Sequence, residues 1–251
     1  MSSYTLSEVA PDVWCIRHPA YLTCSYLVRE GDATWLVDAG RDSEAGDIRR
    51  AYAELGLSLD SLRGILLTHW HNDHAAGAAS LVDETGAPVY YHRDDAPFCT
   101  RQTAPGGLRD RIADAVPEWG IFILAKGLLG DALPRAVEAD RHVEEGEVVD
   151  DLFRVVVTQG HTPGHVSFVH DRRSILFAGD ALAVVNGEIR LMARPTNVDI
   201  AQSRDAVHRL HEEDFAILCP GHREPMVDDV RERFADFKKR TTGDFHWPLF
   251  G

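Results

Sequence analysis

The sequence predicts an α/β fold in which two packed β layers carry helices on their outer faces. In both halves of the chain, short β-rich segments come first and helical segments follow, an order typical of packed sheets covered by helices. In addition, histidine and aspartate recur just past the ends of four predicted strands. Because functional residues commonly lie on loops held by a rigid scaffold, this recurrence indicates that distant loops converge on one site.

The elements of the first half follow from their residue patterns. Three β-rich segments separated by turn residues predict strands at 13–17, 25–29 and 34–38. Apolar residues at helical spacing around Ile48 and Tyr52 predict a helix that ends at Gly56. The remaining elements predicted for this half are a buried strand at 65–67, a helix at 75–84 and a strand at 89–92.

The second half repeats this order of strands and helices. Strands are predicted at residues 153–157, 166–169, 174–178 and 216–219. Apolar spacing predicts two helices, one around Ile200 to Leu210 and one at 227–239.

Residues 94–140, between the two halves, differ in composition. Prolines and glycines interrupt short helical pieces there, and residues 119–129 are strongly apolar. We predict that a single domain spans residues 1–251 and that 94–140 forms a helical cap inserted within it. Such an insertion either walls a substrate pocket or adds ordinary core.

Composition argues against several classes of function. The chain of 251 residues has a net charge of −14 and no long basic run, so nucleic acid and anionic membranes are not expected partners. No apolar run approaches the roughly 20 residues of a membrane span, and the N-terminus lacks the features of a secretion signal. Together with four scattered cysteines, interpreted as reduced core thiols, these features predict a cytoplasmic protein. The apolar segment 245–250 is expected to dock onto its own domain in a monomer or, alternatively, to form the contact of a homodimer.

One short segment carries most of the functional information. Residues 68–74 are Thr-His-Trp-His-Asn-Asp-His, which places His69, His71, Asp73 and His74 directly after a predicted strand. Imidazoles at this density either repel one another as they titrate or bind a cation. Imidazole nitrogen and carboxylate oxygen are ligands that zinc and related divalent ions accept. The segment therefore predicts a catalytic metal at a strand end.

Three further strand ends carry the same chemistry. They are Gly-His-Thr-Pro-Gly-His at 160–165, Gly-Asp at 179–180 and Pro-Gly-His at 220–222. Each places a histidine or aspartate beside glycine, which lets the backbone approach a crowded site. In isolation, Asp180 also fits an ordinary turn and His222 a loop cap. Their recurrence at four strand ends favours a shared site instead.

In this order, the motifs T-H-x-H-x-D-H, G-H-T-P-G-H, G-D and P-G-H resemble those of the metallo-β-lactamase-fold superfamily of metal-dependent hydrolases, over residues 13 to about 240. The resemblance implies an αββα four-layer sandwich with a dinuclear site at one edge. It further implies that Asp38 orients the metal loop without binding metal and that His165 has a structural role. The metal ligands that it implies are His69, His71 and His161 for the first ion, Asp73, His74 and His222 for the second, and Asp180 as a bridge.

The chemistry implied by this site is hydrolysis. Two divalent ions, zinc first with iron or manganese as alternatives, would share a hydroxide that attacks a carbonyl. Asp73 would act as a catalytic residue by accepting the proton of that hydroxide. Ligand positions left open for water are typical of catalytic rather than structural metal sites.

Departures from the residue patterns of particular branches of the superfamily narrow the range of expected substrates. Family β-lactamases generally lack the bridging aspartate, and acyl-homoserine lactonases carry tyrosine where this chain has Ala183. Glyoxalase II enzymes carry a longer region than the one that follows His222 here. We therefore expect a glyoxalase II-like or lactonase-like hydrolase of a small thioester, ester or lactone. The alternatives are a persulfide dioxygenase-like enzyme with one iron, an acyl-homoserine lactonase, and a non-enzymatic metal-binding module.

Overall fold

Two β-sheets form the centre of the computed structural model, which describes residues 4–100 and 134–249. The first sheet holds seven strands side by side in chain order: β1 (Thr5–Ala10), β2 (Val13–Arg17), β3 (Cys24–Glu30), β4 (Ala33–Val37), β5 (Leu62–Leu66), β6 (Val89–Tyr91) and β7 (Arg141–His142). The second sheet, in spatial order, holds β14 (Ile217–Pro220), β11 (Ile175–Gly179), β10 (Val166–His170), β9 (Phe153–Val157) and β8 (Val148–Val149). A separate hairpin pairs β12 (Ala183–Val185) with β13 (Glu188–Arg190).

The helices lie in the connections that leave these sheets. Those in the described residues are α1 (Gly46–Glu54), α2 (Asn72–Ala75), α3 (Ala78–Thr85), α4 (Ala96–Cys99), α5 (Ile200–Leu210) and α6 (Val230–Thr241). Over the parts of the chain that the structure describes, none of them is long and apolar enough to cross a membrane.

Three buried apolar clusters separate four layers and confirm the predicted αββα sandwich. Along β4, Leu36 packs in the cluster shared with α1 and α3, whereas its neighbours Trp35 and Val37 face the second sheet. Along β11, Leu176 packs with α5 and α6, whereas Phe177 faces the first sheet. Because successive side chains of a strand point to opposite faces, both sheets are apolar on both sides.

Parallel strands bring several loops to one edge of the sandwich. Strands β4, β5 and β6 run parallel in the first sheet, and β11 runs parallel to β14 in the second. Strand β9 has the same direction as β11, because both pair antiparallel with β10. A hydrogen bond from Val166 N–H to Thr68 O, 2.9 Å long, joins the two sheets at this edge. The carboxyl ends of these strands therefore supply loops to a common place.

Most predicted elements are present, with differences at their boundaries. The strands predicted at 13–17 and 153–157 have those bounds in the structure. The helix predicted at 75–84 is present as α3, but it starts only at Ala78, because Ala75 ends the separate helix α2 and Gly77, a residue type that weakens helices, lies between the two. Of the predicted cap at 94–140, residues 101–133 lie outside the described residues. The cap and the single domain therefore stay predictions.

Candidate metal centre

All seven side chains that the sequence singles out as ligands meet at the edge where the two sheets end. They form three overlapping groups, and within each group the candidate ligand atoms lie no more than 4.8 Å apart. The first group is His69, His71 and His161, the second group is Asp73, His74 and His222, and a third group of His69, His74 and Asp180 joins them.

The local backbone explains how one short segment serves two groups. His69 lies three residues past the end of β5, and His71 precedes the first residue of α2 with an extended backbone, φ −55° and ψ 144°. The chain then turns into α2, which carries Asp73 and His74. Extended and helical backbone direct side chains differently, so His69 and His71 approach one point while Asp73 approaches its neighbour.

Asp38, just past β4, fixes the tautomers of two of these histidines. Its carboxylate accepts the Thr68 hydroxyl proton at 2.9 Å and the Thr68 N–H at 2.8 Å. Because that hydroxyl proton is committed, His69 Nδ1, 3.0 Å from Thr68 Oγ1, must be the donor to it. His74 Nδ1 donates directly to Asp38 Oδ2 at 2.8 Å. The Nε2 atoms of both rings are thereby left to face the site.

His222 is oriented in the same way by a main-chain carbonyl. Its Nδ1 donates to Tyr21 O at 3.1 Å, so that Nε2 faces the site, 3.3 Å from His74 Nε2 and 3.1 Å from Asp180 Oδ2. The preceding residue must be glycine, because a Cβ at Gly221 would lie 2.2 Å from Asp180 Oδ1.

His165 lies beside the site and supports it, in the structural role that the sequence predicts. Its Nε2 accepts the Asp180 N–H at 2.9 Å, so Nδ1 carries the proton and donates to Thr158 Oγ1 at 2.8 Å. Thr158 in turn contacts Ser167 Oγ at 3.0 Å. This chain of bonds fixes the backbone that carries Asp180.

Sequence reasoning missed two neighbours of the second group. Thr23 Oγ1 donates to Asp73 Oδ2 at 3.0 Å, and the carbonyl of Tyr21 holds His222. Neither residue belongs to a motif, and both come from the loop before β3, which pairs with the His222 segment through a bridge between Thr23 and His222. His92, which directly follows β6, accepts the Asp94 N–H instead and caps a turn.

Burial keeps the histidines of the first group neutral. Burial, with repulsion from neighbouring imidazoles, holds the pKa of His69 well below its ordinary value. Burial lowers the pKa of His71 to about 4 and holds that of His161 well below its ordinary range. Neutral imidazole is the form that binds metal.

The carboxylates favour positive charge at the second group. Burial alone would lower the pKa of His74, but Asp73, Asp180 and Asp38 outweigh it and raise that pKa to about 10. Burial would likewise raise the pKa of Asp73, yet the nearby imidazoles leave it below its ordinary value. The negative potential that stabilises a proton on His74 would equally stabilise a metal cation at this position.

The polar atoms of the site fit a divalent metal. Buried His69 Nε2 and Asp180 Oδ1 have no hydrogen-bond partner among the described residues, an arrangement that is costly for buried acceptors. His161 Nε2 and His71 Nδ1 lie 3.0 Å apart, so one ring nitrogen from each histidine points toward nearly the same place. Nitrogen and carboxylate oxygen in this arrangement form a suitable donor set for a divalent ion.

The fold is that of a known family. Residues 20–222 match the model of the metallo-beta-lactamase superfamily, and the chain belongs to that family. Its histidine and aspartate groups indicate that the ions it binds are divalent metals.

Several curated relatives from bacteria are similar to this chain. The probable metallo-hydrolase YqjP of Bacillus subtilis is 26% identical, over 92% of this chain and 78% of that protein. The probable metallo-hydrolase YflN of the same organism is 32% identical over 61% of this chain, a match that spans 57% of YflN. A hydroxyacylglutathione hydrolase of Methylobacterium sp. is 32% identical over 62% of this chain, and the match spans 46% of that protein.

Solved structures have the same fold. A metallo-beta-lactamase of Cronobacter sakazakii superposes with a TM-score of 0.64 at 24% identity, covering 87% of this chain and 80% of that one. The protein TTHA1623, in a di-iron-bound form, superposes with a TM-score of 0.63 at 25% identity, covering 90% of this chain and 97% of that one.

Proposed function

We propose that this protein is a hydrolase of a small thioester, ester or lactone that works with two divalent metal ions, zinc in the first place. Membership of the metallo-beta-lactamase superfamily supports a metal-dependent hydrolytic enzyme. The similarity to hydroxyacylglutathione hydrolases supports a thioester as the first substrate class to try.

One observation carries the proposal: three histidine rings are oriented in advance so that the Nε2 atom of each faces the site. In each of His69, His74 and His222, Nδ1 donates to a fixed acceptor outside the site. Ligands held by such partners are typical of metal sites, since the outer hydrogen bond selects the tautomer and orients the ring.

Two sets of ligand atoms support two ions rather than one. The group of His69, His71 and His161 is complete without Asp73 and His222, and these two join His74 in a group of their own. Asp180 lies between the sets, with Oδ2 at 3.3 Å from His161 Nε2 and 3.1 Å from His222 Nε2. A shared carboxylate offsets the repulsion between neighbouring dications.

When bound, such ions supply Lewis acidity toward a carbonyl and lower the pKa of water. The chain supplies a base and a polar, enclosed cradle. Asp73 stays ionised beside His74 and His222, and Thr23 fixes one of its oxygens. Its carboxylate is therefore suited to accept a proton from attacking water.

The residue at position 183 disfavours the acyl-homoserine lactonase alternative. Ala183 begins β12 and is 6% exposed, and its methyl group cannot donate or accept a proton as a tyrosine would. The second alternative, a mononuclear iron oxygenase, would need only one of the two ligand groups, and the other group would have no function.

The roles of the ligands are tested by two substitutions, His71→Ala and Asp180→Asn. We expect the rate at which each purified variant hydrolyses a generic thioester and lactone to fall at least about 100-fold. The reason is that each substitution removes a metal-ligating atom from the site. His142→Ala and Asp140→Asn serve as matched controls, since both residues are exposed and outside the site. Circular dichroism verifies that the variants fold, and full activity in either site variant would refute the assignment.

A further inference from the structure

A buried carboxylate outside the ligand set connects the two loops that carry His71 and His161. Asp95 lies just past β6, at another strand end of the same edge, and is 0% exposed. Its Oδ2 accepts the Trp70 N–H at 3.1 Å and the Thr162 hydroxyl at 2.9 Å. Its Oδ1 accepts the Gly164 N–H at 2.7 Å.

These three donors flank the ligands of the first group. The Trp70 N–H belongs to the peptide bond that joins His69 to Trp70, one residue before His71. Thr162 directly follows His161. The ring nitrogens of His71 and His161 lie 3.0 Å apart. One side chain thus fixes the separation of two loops whose ligand atoms must lie close together.

The packing around Asp95 leaves it no room to move. A Cβ at Gly164 would lie 2.5 Å from Asp95 N and 2.8 Å from its Cγ, so only glycine permits this approach. Its hydrogen-bond donors are two peptide N–H groups and one hydroxyl, all neutral. Burying a carboxylate with neutral donors alone is costly, and a positional role explains why the fold contains one.

The second group has anchors of its own. Thr23 holds Asp73, Asp38 holds His74, and the carbonyl of Tyr21 holds His222. None of these bonds involves Asp95, so a change at Asp95 should reach the two groups unequally.

We propose that Asp95 is a positioning residue for the first metal position, the one formed by His69, His71 and His161. It sets the distance between the loop of His71 and the loop of His161 and leaves the group of Asp73 and His222 untouched. This inference rests on the proposed two-metal site.

The test measures zinc affinity, by competition with a chromophoric chelator, in chains that keep one group intact. His222→Ala disables the second group, and His161→Ala disables the first. Adding Asp95→Asn to His222→Ala should weaken zinc binding about 10–100-fold, as for other partners that orient metal ligands. Adding it to His161→Ala should change the affinity by less than about 3-fold. In the otherwise unchanged chain, Asp95→Asn should weaken the binding of one zinc ion and leave that of the other unchanged.

The matched control is Asp140→Asn, which removes a carboxylate that holds the Val89 N–H at the start of the same strand, β6, and should leave both affinities unchanged. If Asp95→Asn does not fold, Thr162→Val replaces it, since this substitution keeps the shape and removes only the hydroxyl donor. Equal weakening of the two groups, or none, overturns the role of Asp95. A wild-type chain that takes up no zinc overturns the proposed function instead.

Discussion

In three histidines of the candidate site, an outside hydrogen bond to Nδ1 leaves Nε2 facing the site. Asp38 illustrates this, because it accepts from His74 Nδ1 and, through the Thr68 hydroxyl, holds His69 Nδ1 as a donor. A single carboxylate therefore aims two rings. It is itself 2% exposed, so its hydrogen bonds do not compete with bulk water.

We expect Asp38→Asn to weaken metal binding by about 10–100-fold. The amide offers one acceptor oxygen where the carboxylate offers two, so either His74 or Thr68 loses its partner. Asparagine tolerates the backbone at this position, where φ is 58°, so the loss can be assigned to the side chain. Asp12→Asn is the matched control, because Asp12 has a φ of 64° and contacts Arg29, away from the site. Unchanged affinity by calorimetric titration of Asp38→Asn would contradict this role.

At the residue scale, the sequence motifs predicted individual residues of the candidate site and not only the fold class. The seven ligand candidates, Asp38 and His165 could be named because their types and order are specific to one family. Thr23 and Asp95 could not, since a lone threonine or aspartate in a loop carries no pattern. Asp95 had one available signal: it too follows a strand end at the shared edge.

At the scale of elements, the apolar residue patterns predicted buried strands but not exposed or very short ones. Strand β9 consists of buried and half-buried residues, four of them apolar, and was predicted at its observed bounds. Strand β1 is an edge strand in which no residue is fully buried, and its sequence lacks an apolar period. The hairpin of β12 and β13 has strands of 3 residues each, too short to show a period.

The contact between α5 and α6 includes a histidine whose titration should be visible in stability. His211, at the end of α5, is 8% exposed and donates through Nε2 to Thr241 Oγ1 at 3.0 Å. That hydroxyl gives its own proton to Phe237 O, so it can only accept. Burial, with His208 and Lys238 nearby, lowers the pKa of His211 to about 4.

Because this pKa is lower in the folded than in the unfolded chain, acidification should favour the unfolded form. His211 contributes its full stability above pH about 6.5, and the contribution falls as the pH drops toward 4. We expect wild type to lose stability over this range more steeply than His211→Gln, by at most about 1.4 kcal/mol per pH unit. Urea unfolding of both metal-free proteins at several pH values measures this difference. Parallel pH profiles would contradict the assignment.

For the whole molecule, the central consequence of the sandwich is that two sheets deliver ligands to one edge. His69 follows the first sheet, whereas His161, Asp180 and His222 follow strands of the second. The two β layers could be predicted from the order of elements, but their alignment could not, because it depends on contacts between residues about 100 positions apart in the sequence. The resemblance of the motifs supplied that alignment.

The most direct test of this account is the metal content of the protein purified from its native host, measured by elemental analysis. We predict about two divalent ions per chain, with zinc the main metal, and about one in His161→Ala and in His222→Ala. About one iron per chain, retained when His222 is replaced, would contradict the two-metal hydrolase and favour an oxygenase. A chain that binds no metal even after incubation with zinc would contradict the metal centre itself.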